Sequence, residues 1–187
     1  HNSDFSGSDL SNSSFEGASL LESVFVKSII NGVNFKKASL SKTDFSDTIL
    51  ENSDLQESII NDAVLTKSHF INCNLNKTTL NDSDLSFCSF KNTVLTKTDF
   101  SFSNLENVDL SGNNLKDAEF IRVKLTGANL SNTDLTGVMF INIDFTTFKF
   151  DNAIFGNNKI KKIKIHAKDV HRLNLSEEQR KELTIVG

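Results

Sequence analysis

ANLSNTDLTG, residues 128–137, decides the fold. It is two five-residue units laid end to end: a small residue, Asn or Asp, Leu, then two residues that are polar or Gly. Working outward in both directions, the unit never slips. Every fifth position from Phe5 to Phe155 is Phe, Leu or Ile, an unbroken run of 31. Two positions before each centre the residue is Ser, Ala, Thr or Cys in 24 of the 31 units, which makes a second column of fixed size.

A period of five suits neither regular element. On an α-helix five residues turn the side chain by about 500°, so successive centres wander round the axis. On a straight strand an odd step sends alternate centres to opposite faces. The centres share one side only if the backbone turns a corner in every unit, and a chain that does so while advancing closes into a coil. The residues at 12, 32, 52, 72, 92, 112, 132 and 152 are all Asn or Gly, types that tolerate positive φ. One corner in four therefore carries its own demand, and four units are expected to close one coil.

Units such as SDLSN (8–12), ANLSN (128–132) and TDLTG (133–137) resemble the pentapeptide-repeat family throughout residues 3–155, with a looser phase to Leu175. The resemblance implies an all-β, right-handed quadrilateral β-helix of about eight coils. Stacked at the usual inter-strand spacing, these coils make a rod roughly 37 Å long. The expected division is a β-helix over 1–160 and a basic tail over 161–187. Ser176 with Gln179 has the form of a capping box, predicting a short α-helix at about 176–183 that closes the base or meets a second copy. The chain opens on His1, and a preceding segment is expected to cover the first coil. Exceptions in the small column carry their own expectations. Asn113 should bond a backbone carbonyl, bulky Ile143 and Phe148 should distort the last coil, and Cys73 and Cys88 should be buried, inert thiols.

Little chemistry is visible. The histidines at 1, 69, 166 and 171 do not pair with cysteine at metal-ligand spacing, and no phosphate-binding glycine loop occurs. Repeating Ser and Asp are packing and turn residues. No catalytic, cofactor or metal residues are assigned, and a non-enzymatic protein is expected. No apolar run reaches membrane-spanning length. Residues 1–155 hold 20 acidic and 12 basic side chains, while residues 156–187 hold 4 and 8. The acidic body argues against direct binding of nucleic-acid phosphates.

Function then falls to the outer surface, where misplaced apolar side chains stand out. Phe102, Ile121, Met139 and Ile141 fall on three successive coils of the fourth face and form the candidate partner or dimer patch. Val24, Ile29, Ile49, Val64 and Ile71 form a second group near the top. The expected role is a rigid protein-interaction scaffold with a protein partner. The resemblance supplies an alternative, a DNA mimic that binds DNA gyrase or topoisomerase IV. Spread charge and the absence of register breaks, where projecting loops would sit, weigh against it. A repeat module within a larger protein is a third reading. Family members occupy the bacterial cytoplasm, the periplasm or the thylakoid lumen, and unpaired thiols favour the first.

Overall fold

In the computed structural model, which describes residues 1–187, the chain bends immediately after each central residue. Following Phe5, the Ser8 N–H donates to the Phe5 carbonyl at 3.0 Å and Gly7 has φ +66°. A turn with only its third residue left-handed is type II. The residue before the centre caps this corner. Asp4 Oδ1 accepts the Ser6 N–H at 2.9 Å, and Asp54, Asp84 and Asp134 serve Gln56, Ser86 and Thr136 in the same way. The Asp/Asn preference of the unit is thus a turn requirement first and a source of charge second.

Coils stack in parallel with partners twenty residues apart, as in Asp4 with Val24 and Asn114 with Asp134. Phe5 donates to the Val24 carbonyl (2.8 Å) and Val24 to the Ser3 carbonyl (2.9 Å), an exchange repeated down the tower. Two faces lengthen into strands. Ile29–Asn31 (β1), Ile49–Glu51 (β2), His69–Ile71 (β3) and Ser89–Lys91 (β4) form one parallel sheet. Glu119–Ile121 (β5), Met139–Asp144 (β6), Lys159–His166 (β7) and Leu183–Val186 (β8) form the other. The result is a right-handed quadrilateral β-solenoid of about eight turns.

Central side chains fill the axis. Leu55, Leu75 and Leu95 are fully buried, and Phe25 stacks on Phe45 with centroids 4.6 Å apart while meeting Phe35 edge-on at 5.8 Å. The small column couples coils through its hydroxyls. Ser83 Oγ donates to the Ile60 carbonyl (2.8 Å) and Thr98 Oγ1 to the Leu75 carbonyl (2.9 Å). An apolar residue here gives up this bond. Asn113 meets its expectation and exceeds it: Nδ2 donates to the Phe90 and Leu110 carbonyls, and Oδ1 accepts the Thr93 N–H.

Four expectations need correction. Left-handed φ occurs at every corner from Asn2 to Lys162 except Thr147, so it does not single out the Asn/Gly column. What singles it out is an amide ladder: Asn72 Nδ2 donates to Asn52 Oδ1 (3.1 Å) and Asn92 Nδ2 to Asn72 Oδ1 (3.3 Å). The helix after Ser176 is shorter than the expected 176–183. It covers Glu177–Arg180 (α1), with the capping box present, because Leu183 is drawn into β8 beside β7. The division at residue 160 falls inside β7, which pairs with β6 and β8 at the same twenty-residue offset. Finally, α1 buries no residue. The base is closed by the 3-10 turn Ala167–Leu173, through buried Leu173 and through Arg172, whose guanidinium lies 4.2 Å from the Phe150 ring centroid.

Ile143 and Phe148 are both buried, but the distortion expected of the pair occurs only at Phe148, since Ile143 keeps its register with Ile163. Gly127 donates to the Thr147 carbonyl, one residue later than the usual partner, and Thr147 alone among the corners is not left-handed.

Candidate protein-docking surface

The second sheet places Ile121, Met139 and Ile141 on one face of the tower, with Phe102 at a corner of the coil above. Ile121 in β5 pairs in register with Ile141 in β6, and Glu119 with Met139. Phe102 stands at the corner one coil above, its N–H donating to the Ile121 carbonyl at 2.8 Å. Its ring is half exposed, while Ile121, Met139 and Ile141 are half-buried. The Arg122 guanidinium approaches the Phe102 ring to 6.0 Å. Coils being about 4.8 Å apart, Ile121 and Ile141 stand side by side as a short aliphatic ridge.

The coils above this ridge carry an anomaly of their own. Asn61 Oδ1, Thr79 Oγ1, Asn81 Oδ1 and Ser101 Oγ are the protein's buried side-chain polar atoms with no hydrogen-bond partner. All four belong to the same face, flanking Ile60, Leu80 and Phe100. Each such atom costs about 1–3 kcal/mol, and their concentration on one face is unlike the fully bonded interior elsewhere.

The second sequence group is divided by the structure. Ile29 and Ile49 pair in register, each more than half exposed, beside a shallow depression of about 400 Å³ that Lys27, Asp47 and Glu51 also line. Val24 and Val64 instead alternate with Asp4, Asp44 and Asp84 in one column, so they are isolated from one another. Ile71 is half-buried below Glu51.

Sequence reading passed over Phe87, Ile59, Val94, Ile154 and Ile185, all exposed. For Phe87 the signal was available. Every corner residue from Asn2 to Lys162 is polar, charged or Gly except Phe87 and Phe102. Both adopt left-handed φ, +62° and +64°, a region unfavourable to bulky residues.

The thiols are removed from chemistry. Burial pushes Cys73 up to about 11 and Cys88 up to about 12, and their sulfurs donate to the Leu50 and Leu65 carbonyls. No group of three or more His, Cys, Asp or Glu side chains is arranged to hold a metal ion. His166 turns Nδ1 to the Gly187 carbonyl, and His171 is exposed in the 3-10 turn. No helix is long and apolar enough to cross a membrane.

Eight copies of the family described as "Pentapeptide repeats" match the sequence, over residues 1–36, 21–56, 48–86, 58–96, 73–112 and 114–155. The chain belongs to the pentapeptide-repeat family. Among curated proteins none matches at a significant level. Solved pentapeptide-repeat folds resemble it at low identity. QnrB1, a plasmid-mediated fluoroquinolone resistance protein, is 19% identical in a trypsin-treated form, with 100% of this chain and 86% of that one covered and a TM-score of 0.42. HetL, involved in heterocyst differentiation regulation in the cyanobacterium Nostoc sp. strain PCC 7120, is 23% identical over 87% of this chain and 89% of that one, with a TM-score of 0.34. Rfr23 from the cyanobacterium Cyanothece 51142 is 24% identical over 71% and 86%, with a TM-score of 0.36.

Proposed function

We propose that this pentapeptide-repeat chain is a non-enzymatic scaffold that docks a protein partner on the edge bearing Phe102, Ile121, Met139 and Ile141. The observation that carries the reading is the in-register Ile121–Ile141 ridge, capped by an aromatic side chain in left-handed φ. Neither feature serves the core, which is complete without them. The unpartnered oxygens of Asn61, Thr79, Asn81 and Ser101 support the same face, because modest side-chain rotation would turn them to donors on a docked surface.

A DNA-mimicking role needs a dense acidic column. Along the column containing Asp4, Asp44, Asp84 and Asp144, valines intervene, then Asn104 and Lys124, and Asp144 is paired with Lys164. Carboxylates two coils apart stand roughly 10 Å from one another, against about 3.4 Å per phosphate along one DNA strand. The spacing favours the scaffold over the mimic, and a gyrase supercoiling assay with added protein should read no inhibition and no relief of quinolone inhibition.

The docking test is the double substitution Ile121→Lys/Ile141→Lys. The variant should keep its circular dichroism spectrum and unfolding midpoint, since both sites are outside the core. It should lose whatever protein co-purifies with the wild-type chain from its native cell, or any self-association that sedimentation of the wild type detects. Identical partners and identical sedimentation in wild type and variant reject the assignment.

A further inference from the structure

Along the edge of the second sheet the surface changes from apolar to cationic in a fixed order. One outward column reads Ile121, Ile141, Lys161. The neighbouring corner column reads Phe102, Arg122, Asn142, Lys162. Between them runs a groove of about 320 Å³ lined by Arg122, Ile141, Asn142, Lys161 and Lys162. It continues past Asn142 and Lys162 into a second, of about 460 Å³, that Lys164, Lys181 and Glu182 also line.

Most of the cations lining the two grooves have no carboxylate partner, Lys164 being the exception. Lys124 is paired with Glu106 and Lys164 with Asp144. Arg122, Lys161, Lys162 and Lys181 make no ion pair with any side chain of the protein. Glu182, the acidic group in the groove, is occupied by the Lys162 backbone N–H at 3.1 Å. Four like charges gathered in a concavity on a protein of net charge −4 repel one another and gain nothing internally.

We infer that this groove takes a short acidic segment of a partner protein, its carboxylates between Arg122, Lys161 and Lys162 and its aliphatic residues on Ile141 and on Ile121, which adjoins the groove. This rests on the docking reading and adds the partner's chemistry to it. From Phe102 to Lys162 is three coil steps, about 14 Å, the length of four or five extended residues. The Ile121 and Ile141 side chains give nothing to a sugar–phosphate chain. A duplex long enough to fill the cationic half would run onto the acidic body, where each added phosphate meets carboxylates. A segment that ends with the groove avoids that field.

The probe is a fluorescein-labelled synthetic peptide, Leu-Ile-Leu-Asp-Glu-Asp-Glu, followed by anisotropy on the full chain. Its Lys/Arg counterpart and a short DNA duplex are the comparisons. The wild type should bind the acidic peptide, more weakly as salt rises, and neither comparison. The variant Arg122→Glu/Lys161→Glu/Lys162→Glu should lose affinity by about tenfold or more, as several surface charge pairs are reversed together. Arg122→Gln/Lys161→Gln/Lys162→Gln should fall between the two. Equal affinity in wild type and the Glu variant overturns the inference, as does preference for the cationic peptide or the duplex. The two readings separate in the native partner. If Ile121→Lys/Ile141→Lys loses it while the Glu variant keeps it, the docking edge stands and the acidic segment falls. If both variants keep it, both readings fall.

Discussion

Asn113 Oδ1 accepts the Thr93 N–H at 3.0 Å, across one coil, at the point where the chain above needs an acceptor. In equivalent corners Ser53 Oγ serves Val33 and Ser83 Oγ serves Ala63, both at 3.1 Å. Those corners lack the internal turn bond, so their N–H looks to the next coil. Asn113→Ala would leave the Thr93 N–H and the Phe90 carbonyl unpaired in a buried place. It should cost about 2–3 kcal/mol by urea unfolding. Asn113→Ser, which restores a hydroxyl of the kind used elsewhere, should recover half or more of that loss. A loss in the Ala variant no larger than the error of the measurement would contradict the role given to the amide.

Phe87 carries the opposite expectation. It occupies left-handed φ on an exposed corner and makes no aromatic or cation–π contact that would hold it. Lys67 and Asn107 stand at the same corner in the coils above and below, both at positive φ. Phe87→Asn replaces a residue poorly suited to that region by one that enters it readily, and should raise stability by about 0.5 kcal/mol. In a domain of this size that is about 1–2 °C in Tm. A fall in Tm would mean that the ring packs against its surroundings more than its exposure indicates.

These two residues mark what was legible beforehand. The core was legible because Phe, Leu and Ile recur at every fifth place with no insertion, which leaves the backbone one way to bury them. Asn113 was legible as an exception within a column of small residues, since a buried amide must be bonded. The ridge of Ile121 and Ile141 could be found by coil arithmetic alone. The closing of the base was not legible. Arg172 over Phe150 and the turn bringing it there depend on tertiary closure after the repeat has lapsed, where no period remains to follow. The short helix failed at its end for a related reason: Leu183 is worth more to a sheet edge beside Ile163 than to another helical turn. The free cations were visible as charges, but their lack of partners became apparent only once the coils were stacked.

Burial holds the Cys73 and Cys88 thiols neutral, up to about 11 and about 12. In the unfolded chain a thiol ionises near 8.5. The folded state binds the proton more tightly, so this contribution is complete below about pH 8.5 and is lost as pH rises through the folded values. Stability should fall between about pH 9 and pH 12, and more steeply in the wild type than in Cys73→Ser/Cys88→Ser, which keeps the hydrogen bonds without the titration. Parallel stability–pH curves for the two proteins would show that the thiols are not the groups responsible. The native protein should also resist a thiol reagent that labels it fully in denaturant.

At the acid end the carboxylates act in the opposite sense. Burial alone would raise Asp134 and Asp144, but Thr136 and Lys116 hold the first below its ordinary value of 3.8, and Thr146 and Lys164 hold the second below it. A lowered folded pKa contributes stability that is complete above the unfolded value and lost as pH falls through the folded one. The tower should therefore weaken below about pH 4. Asp134→Asn keeps an acceptor for the Thr136 N–H but removes both the titration and the Lys116 pair, whose contact is 3.1 Å and partly exposed. The variant should be less stable at pH 7 by no more than about 1 kcal/mol, and its stability should decline less steeply on acidification. Adding Lys116→Gln to Asp134→Asn should cost almost nothing further, because the partner is already gone. An acid slope unchanged by Asp134→Asn would assign the acid sensitivity to the many exposed corner aspartates instead, of which Asp4 and Asp9 are also held low by Ser6 and Ser11.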